Sequence, residues 1–186
     1  MTRIVLLAGP SGSGKSRLAR LVGGSALPLD DFYRDGDDPG LPRAHGIVDW
    51  DHHATWDCAA AVSCLTELVA SGSASVPVYS IAQNRRVGIQ HVSAAAIVVA
   101  EGIFAAELLR PALDAGLDVE PIYLDRNRTL VALLRLSRDL RARRKRPSVL
   151  VRRGFHLWRQ QPALRRRALE AGFRPLSMSQ AVGHLT

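Results

Sequence analysis

The chain has little cysteine, few aromatic residues, almost no lysine and no long hydrophobic run. Cys58 and Cys64 are the only thiols in 186 residues, too few for a disulfide scaffold or a four-ligand zinc site, and they fit a reducing compartment. The longest apolar stretches, such as Ala94-Ala95-Ala96-Ile97-Val98-Val99-Ala100, fall far short of a membrane span. Ile4 to Ala8, after Arg3, is broken at once by Gly9-Pro10 and is too short for a secretory leader, so the expected location is cytoplasmic, with no membrane. Aromatic residues make up 5%, which leaves few platforms for stacking on nucleic acid. Internal repeats and low-complexity linkers are also missing, and the expectation is a single domain over residues 1–186. What is present is ordinary globular composition, 47% hydrophobic and 23% charged, enough to bury a core without staples.

The net charge of +8 is unevenly spread. Residues 126–174 hold 16 of the 25 Lys and Arg with only Asp139 and Glu170 as acids, a local charge of +14, whereas residues 1–125 carry −6. A basic segment on an acidic body suits a polyanion: nucleotide phosphates, nucleic acid or a membrane surface. Lys15 and Lys145 are the only lysines, and an arginine excess of this kind also follows from a genome rich in G and C.

Strand and helix signals alternate. Arg3–Ala8 reads as a buried strand, Ser16–Val22 as a helix and Ala26–Leu29 as a second strand ending at Asp30-Asp31. Residues 34–53, rich in Asp, Gly, Pro and His, read as a long loop. Thr55–Ala70 has helical spacing, and Val76–Tyr79, Ala96–Ala100 and Val119–Leu124 are strand candidates. Ala105–Ala115 predicts a helix containing Pro111, and Leu130–Arg144 a basic amphipathic helix ended by Pro147. Pro162 suits a first helical position, and Gly172 follows the last turn. This alternation predicts an α/β fold of three layers, α/β/α, around a mainly parallel sheet of about five strands.

The strongest local signal is Gly9-Pro10-Ser11-Gly12-Ser13-Gly14-Lys15-Ser16, which matches G-x-x-x-x-G-K-[ST] in full between a strand and a helix. Glycines let the backbone curl around phosphate oxygens, and the amides then point inward at a helix N-terminus that favours anions. In such a loop Ser11, Gly12, Ser13, Gly14, Lys15 and Ser16 bind nucleotide phosphates, Lys15 reaching the β- and γ-phosphates and the Ser16 hydroxyl ligating Mg²⁺. The cofactors expected are ATP and Mg²⁺. An Asn-Lys-x-Asp base-recognition motif of GTPases is absent, and the chain is short for a motor.

Further anchors follow in order. Leu29-Asp30-Asp31-Phe32-Tyr33, Asp49-Trp50-Asp51-His52-His53-Ala54-Thr55-Trp56-Asp57, Pro77-Val78-Tyr79 with Arg85-Arg86, Glu101-Gly102-Ile103 and Arg135-Leu136-Ser137-Arg138-Asp139 are similar to segments of the uridine kinases and related P-loop kinases, the phosphoribulokinase/uridine kinase group. With the phosphate loop, the resemblance covers about three-quarters of the chain. His53 stands where those kinases carry proline, and Asn84 where they carry a histidine that helps recognise the pyrimidine. An amide still offers a donor and an acceptor to a base edge.

Each anchor also has a chemical reading. Asp30 closes a strand beside the phosphate loop, in the usual ligand crevice of open α/β sheets, where a carboxylate can take a proton from a hydroxyl or hold Mg²⁺ through water. The resemblance implies the first role, as base toward a sugar hydroxyl; Asp31 is expected to face solvent. Glu101 ends an apolar strand, where an acid is costly unless paired or bound to metal, and so is a candidate second metal ligand beside Ser16. Tyr33 can wall a sugar pocket, Asp51 can accept hydrogen bonds from ribose hydroxyls, Tyr79 can stack on a base and Arg86 can reach sugar or phosphate. Arg135 and Arg138 share a helix face, Arg143 lies further along, and a lid spanning roughly 126–153 would bring guanidinium groups to a transferring phosphoryl group. His45, His52 and His53 do not match a standard zinc spacing.

The function expected is phosphoryl transfer from ATP to a hydroxyl of a small nucleoside-like substrate. Another small metabolite alcohol is the nearest alternative acceptor. Nucleotide-dependent RNA binding and a regulatory ATP switch are the alternatives from other classes, the first disfavoured by a basic segment with only Phe155, Trp158 and Phe173 for stacking.

Overall fold

Alternation along the first strand sets the architecture. In β1 (Arg3–Ala8), Ile4, Leu6 and Ala8 enter one core while Val5 and Leu7 enter another, all of them buried. A strand buried on both faces requires a layer on each side. The computed structural model describes residues 2–44, 46–141 and 161–186, apart from the side chains of 135–141.

The other sheet strands are β2 (Ser25–Pro28), β7 (Ile97–Glu101), β8 (Val119–Leu124) and β9 (Arg174–Leu176). They form one five-stranded sheet in the order β2-β7-β1-β8-β9 with every neighbouring pair parallel. One face is covered by α2 (Cys58–Ser71), α3 (Ala105–Asp114) and the helix over residues 161–170, here α5, through Ala61, Leu65, Leu68, Leu108, Ala112 and Ala168. The opposite face is covered by α1 (Lys15–Leu21) and α6 (Met178–Leu185), through Leu18, Ala19, Ala181 and Leu185. Helix α4 (Arg128–Arg141) leaves the end of β8 and buries Val131. The expected three-layer α/β/α fold is therefore the one observed, and no helix among the described residues is long and apolar enough to cross a membrane.

The membership of the sheet differs from the sequence expectation. Val76–Tyr79 belongs to β5 (Ser73–Ser80), which pairs antiparallel with β6 (Arg85–Ser93) in a hairpin of its own, outside the parallel sheet. The four residues between β5 and β6 permit only an antiparallel return, and Asn84 takes a left-handed backbone (φ 49°) to complete it. The fifth parallel strand is β9, from the segment after Gly172, where the sequence predicts no strand. Among the described residues, the long loop over 34–53 contains the two-residue strands β3 (Arg43–Ala44) and β4 (Ile47–Val48) and the start of a 3₁₀ turn at His53.

Local chemistry explains the helix limits. Asp57 caps α2, its carboxylate accepting from the Ala60 amide at 3.0 Å, so the helix begins at Cys58 rather than Thr55, and Gly72 closes it in the left-handed conformation. Ser177 and Gln180 form a reciprocal capping box that starts α6.

Two stability changes should follow. A Cβ on Gly102 would lie 2.7 Å from the Leu29 Cβ, so Gly102→Ala must part the end of β7 from the turn after β2, a cost of about 1–3 kcal/mol in a denaturant melt. Asp57→Ala removes the α2 cap and should cost about 0.5–2 kcal/mol in the same measurement.

Candidate active site

The carboxyl ends of β1, β2 and β7 deliver three groups to one place. β1 runs into the glycine-rich loop, where Gly9, Gly12 and Gly14 hold positive φ values of 148°, 90° and 95°. A Cβ on Gly9 would press on the Ser13 hydroxyl and the Leu124 carbonyl at 3.2 and 3.3 Å. Glycine there is a packing requirement as well as a conformational one. Lys15 is 8% exposed and folds back over the loop, its ammonium donating to the Gly9 carbonyl at 3.1 Å and lying 3.7 Å from Glu101. The Ser16 hydroxyl donates to Glu101 Oε1 at 2.5 Å.

Glu101 stands between the loop and Asp30 because β7 lies between β1 and β2, with Leu7 and Pro28 both in register with Glu101. Asp30 sits in the 3₁₀ turn Leu29–Phe32. That turn is pinned by the Trp56 indole, which donates to the Leu29 carbonyl at 2.7 Å and stacks on Phe104. The absence of a side chain at Gly102 lets Asp30 Oδ1 come within 3.3 Å of the space a Cβ would occupy. Asp30 is open to solvent yet has dense protein around it, the situation of a group on a cleft wall. Burial there raises its carboxyl above the ordinary 3.8; Lys15 opposes the rise, and Glu101 and Asp31 add to it. A carboxylate so placed binds a proton more readily than a surface Asp, as a general base requires.

Beyond Asp30 lies an aromatic cluster. Tyr33 is buried and meets Trp50 edge to face at 5.6 Å, Tyr79 at 5.5 Å and Phe104 at 5.7 Å, with Trp50 and Tyr79 6.3 Å apart. Burial pushes the Tyr33 hydroxyl up, and Asp30 and Asp51 push it further, which puts both carboxylates within electrostatic range of that ring. Asp51 itself is exposed at the cluster's rim. The cluster therefore offers flat apolar faces beside two acceptors, a surface suited to a planar ring carrying hydroxyl groups.

The β5–β6 hairpin forms one wall and is fastened to residues 31–36. Asp31 accepts from the Tyr79 amide at 3.1 Å, the Tyr79 hydroxyl donates to the Arg34 carbonyl at 3.3 Å, and Gly36 donates to the Asn84 carbonyl at 2.6 Å. Asp31 is thus half-buried and bonded rather than turned to solvent, because the hairpin brings a backbone donor to it. Arg86 is committed as well: its guanidinium donates to Asp57 at 3.1 Å and to the Tyr33 carbonyl at 3.4 Å, which ties the hairpin to the α2 cap. Asn84 occupies the turn with its side chain exposed.

Arg135 and Arg138 fall on α4, but their side chains, like the whole of Arg143 and His45, lie outside the described residues. His52 and His53 stack on each other at 4.4 Å, and no group of three or more metal-binding side chains occurs among the described residues. Four residues not singled out from sequence also belong to the site's surroundings. Trp50 completes the aromatic cluster, and Arg126 donates to the Ser13 carbonyl at 3.1 Å. Ser177 and Met178 line a groove beside the loop together with Leu21, Arg126, Asn127 and Val182. The S-x-x-Q spacing of Ser177 and Gln180 was the one signal in the sequence that could have located that edge.

Comparison with known proteins agrees with this geometry. The phosphoribulokinase / uridine kinase family matches residues 38–152. A uridine kinase of Schizosaccharomyces pombe is 30% identical over 152 residues, covering 76% of this chain and 32% of the yeast protein. A uridine kinase of Tolumonas auensis is 30% identical over 153 residues, covering 75% of this chain and 69% of the relative. The match thus spans about a third of the yeast relative and about seven-tenths of the bacterial one. Among solved structures, a protein described as a fructose transport system kinase from Silicibacter sp. TM1040 is similar in fold, with a TM-score of 0.57 at 20% identity, covering 95% of this chain and 87% of that one. With the phosphate loop at the head of a parallel sheet and the family match over most of the remainder, the chain belongs to the phosphoribulokinase/uridine kinase family of P-loop kinases.

Proposed function

We propose that this protein transfers the γ-phosphoryl group of ATP, with Mg²⁺, to a hydroxyl of a nucleoside-like substrate. The observation that carries the reading is the convergence of Lys15, Ser16, Glu101 and Asp30 at the ends of three adjacent parallel strands, opening onto the Tyr33–Trp50–Tyr79 cluster. The chain's curated relatives are uridine kinases, which favours a riboside as acceptor.

The roles in this proposal are supported by that arrangement and, for Arg135, Arg138 and Arg143, by the family resemblance. Lys15 and the inward amides of Gly12 to Ser16 grip the donor phosphates, together with Ser11 and Ser13 of the same loop. The groove past Arg126 and Met178 takes the donor's base. The Ser16 hydroxyl and the Glu101 carboxylate, already within hydrogen-bond distance of each other, are hard oxygen ligands that fit Mg²⁺. The ion supplies charge neutralisation on the phosphate oxygens. Asp30 takes the proton of the acceptor hydroxyl as its oxygen bonds to the γ-phosphorus, while the bond from that phosphorus to the bridging oxygen breaks and ADP leaves with the electron pair. Asp51 orients the sugar hydroxyls, Tyr33, Trp50 and Tyr79 enclose the planar ring, and Asn84 reads its edge from the hairpin turn. Arg86 holds Tyr33 and the hairpin in place and reaches substrate only by releasing Asp57. Arg135 and Arg138 of α4 stabilise the charge on the transferring group, with Arg143 on the donor phosphates.

Release of ADP from Mg·ATP, measured against a panel of nucleosides, sugars and other small alcohols, is expected with one riboside and to vanish in Lys15→Ala. No stimulation by any acceptor would overturn the reading. Asp30→Asn should lower turnover by about 10² to 10⁴ with the phosphate loop intact, and near-normal turnover would remove Asp30 from the role of base.

Asp30 also predicts a pH dependence. Its folded-state pKa is raised, so activity should climb as pH rises through that value, on a limb displaced above 3.8. For stability the sign is opposite: below 3.8 the group is protonated folded and unfolded alike and costs nothing, whereas above its raised pKa the folded state bears an unfavourable charge. Asp30→Asn should therefore melt higher than the wild type at pH 7, and the gain should shrink as pH falls toward 3.8.

A further inference from the structure

The run Arg165-Arg166-Arg167 has no part in the chemistry above. On α5, Arg166 and Arg167 are exposed, but Arg165 turns back to the sheet, where its Nε and Nη2 both donate to Asp125 Oδ2 at 3.0 and 2.9 Å. Asp125 is the first residue after β8, and its amide donates to the Leu176 carbonyl at the end of β9. The next residue reaches the other way: Arg126 donates to the Ser13 carbonyl in the phosphate loop, while its own carbonyl accepts from Gln161 on α5 at 3.5 Å. Asn127 then starts α4, its side-chain oxygen accepting from the amides of Thr129 and Leu130 at 2.9 and 3.3 Å. Three successive residues thus tie α5, the phosphate loop and the root of α4 into one junction.

Two consequences follow for Arg165. Its pair with Asp125 is half-exposed and adds little to stability, so its effect lies in placement and local charge. Asp125 lines the groove beside the phosphate loop, where an uncompensated carboxylate would repel a polyphosphate. We infer that Arg165 is a positioning residue for the donor nucleotide: by holding and neutralising Asp125 it keeps Arg126 on the phosphate loop and the base of α4 in register. The inference rests on the proposed binding of ATP at that loop.

Donor and acceptor KM, together with direct ATP binding by equilibrium dialysis, test it. Arg165→Glu should raise the donor KM and the ATP dissociation constant about fivefold or more, with the acceptor KM unchanged. Arg166→Glu, the same charge change one residue away, should leave all three as in the wild type, and Arg165→Lys should recover most of the donor affinity. Should Arg165→Glu not fold, Arg165→Gln against Arg166→Gln carries the same comparison. Equal ATP binding by the Arg165 and Arg166 variants, or a loss that follows melting temperature and shifts both KM values together, would overturn the inference and leave the kinase reading standing. Failure of the wild type itself to bind ATP would overturn both.

Discussion

The turn that carries β1 into α1 is the constraint to which the neighbouring strands conform. It buries a lysine that is compensated by the Gly9 carbonyl and the Glu101 carboxylate, and it requires positive φ at Gly9, Gly12 and Gly14. An ammonium with so little exposure is tolerable only with acceptors around it. Glu101 can be one of them only if β7 lies beside β1 and ends level with the loop. The parallel register of Leu7 with Glu101 and of Glu101 with Pro28 is thus tied to the same electrostatic need that forms the phosphate cradle.

From that point the structure is built outward in pairs of opposed demands. In the proposed role Asp30 must be crowded enough for its carboxyl to be raised, yet it must face open space to meet a substrate. The 3₁₀ turn held by Trp56, and the missing side chain at Gly102, meet both conditions. The hairpin lies across both faces of the same problem. It supplies Tyr79 to the aromatic cluster, and it is bonded so closely to residues 31–36 that it behaves as a fixed wall of the site. The polar links that hold it come largely from backbone groups, which no side-chain pattern announces.

Arg86 illustrates how a residue type suggests one role and a contact another. An arginine after P-x-Y reads as a substrate ligand, and in the folded chain its guanidinium is occupied by Asp57 and the Tyr33 carbonyl. Arg165 is the converse: a triple arginine reads as phosphate-binding or surface charge, yet Arg165 alone of the three is drawn to Asp125. Both outcomes depend on where α2, α5 and the hairpin pack, and neither is periodic in the chain.

The sequence by itself determined the parts whose physics is local. The phosphate loop needs its glycines and lysine at fixed spacing, the parallel strands need unbroken apolar runs, and the helices need apolar stripes with capping residues. The loop and the strands are visible in Arg3–Ser16, Ile97–Glu101 and Val119–Leu124, and a helical stripe in Thr55–Ala70. Tertiary structure decided what depends on distant partners. It moved Val76–Tyr79 out of the sheet and put residues 174–176 into it, because three residues make a strand only when the edge of β8 offers them a ladder. It turned Asp31 inward, brought Trp50 to Tyr33 and set Arg126 on the Ser13 carbonyl, contacts that join residues 17 to 113 positions apart. Spacing along a chain encodes what one helix or one turn can bring together; closure of a sheet brings together the rest.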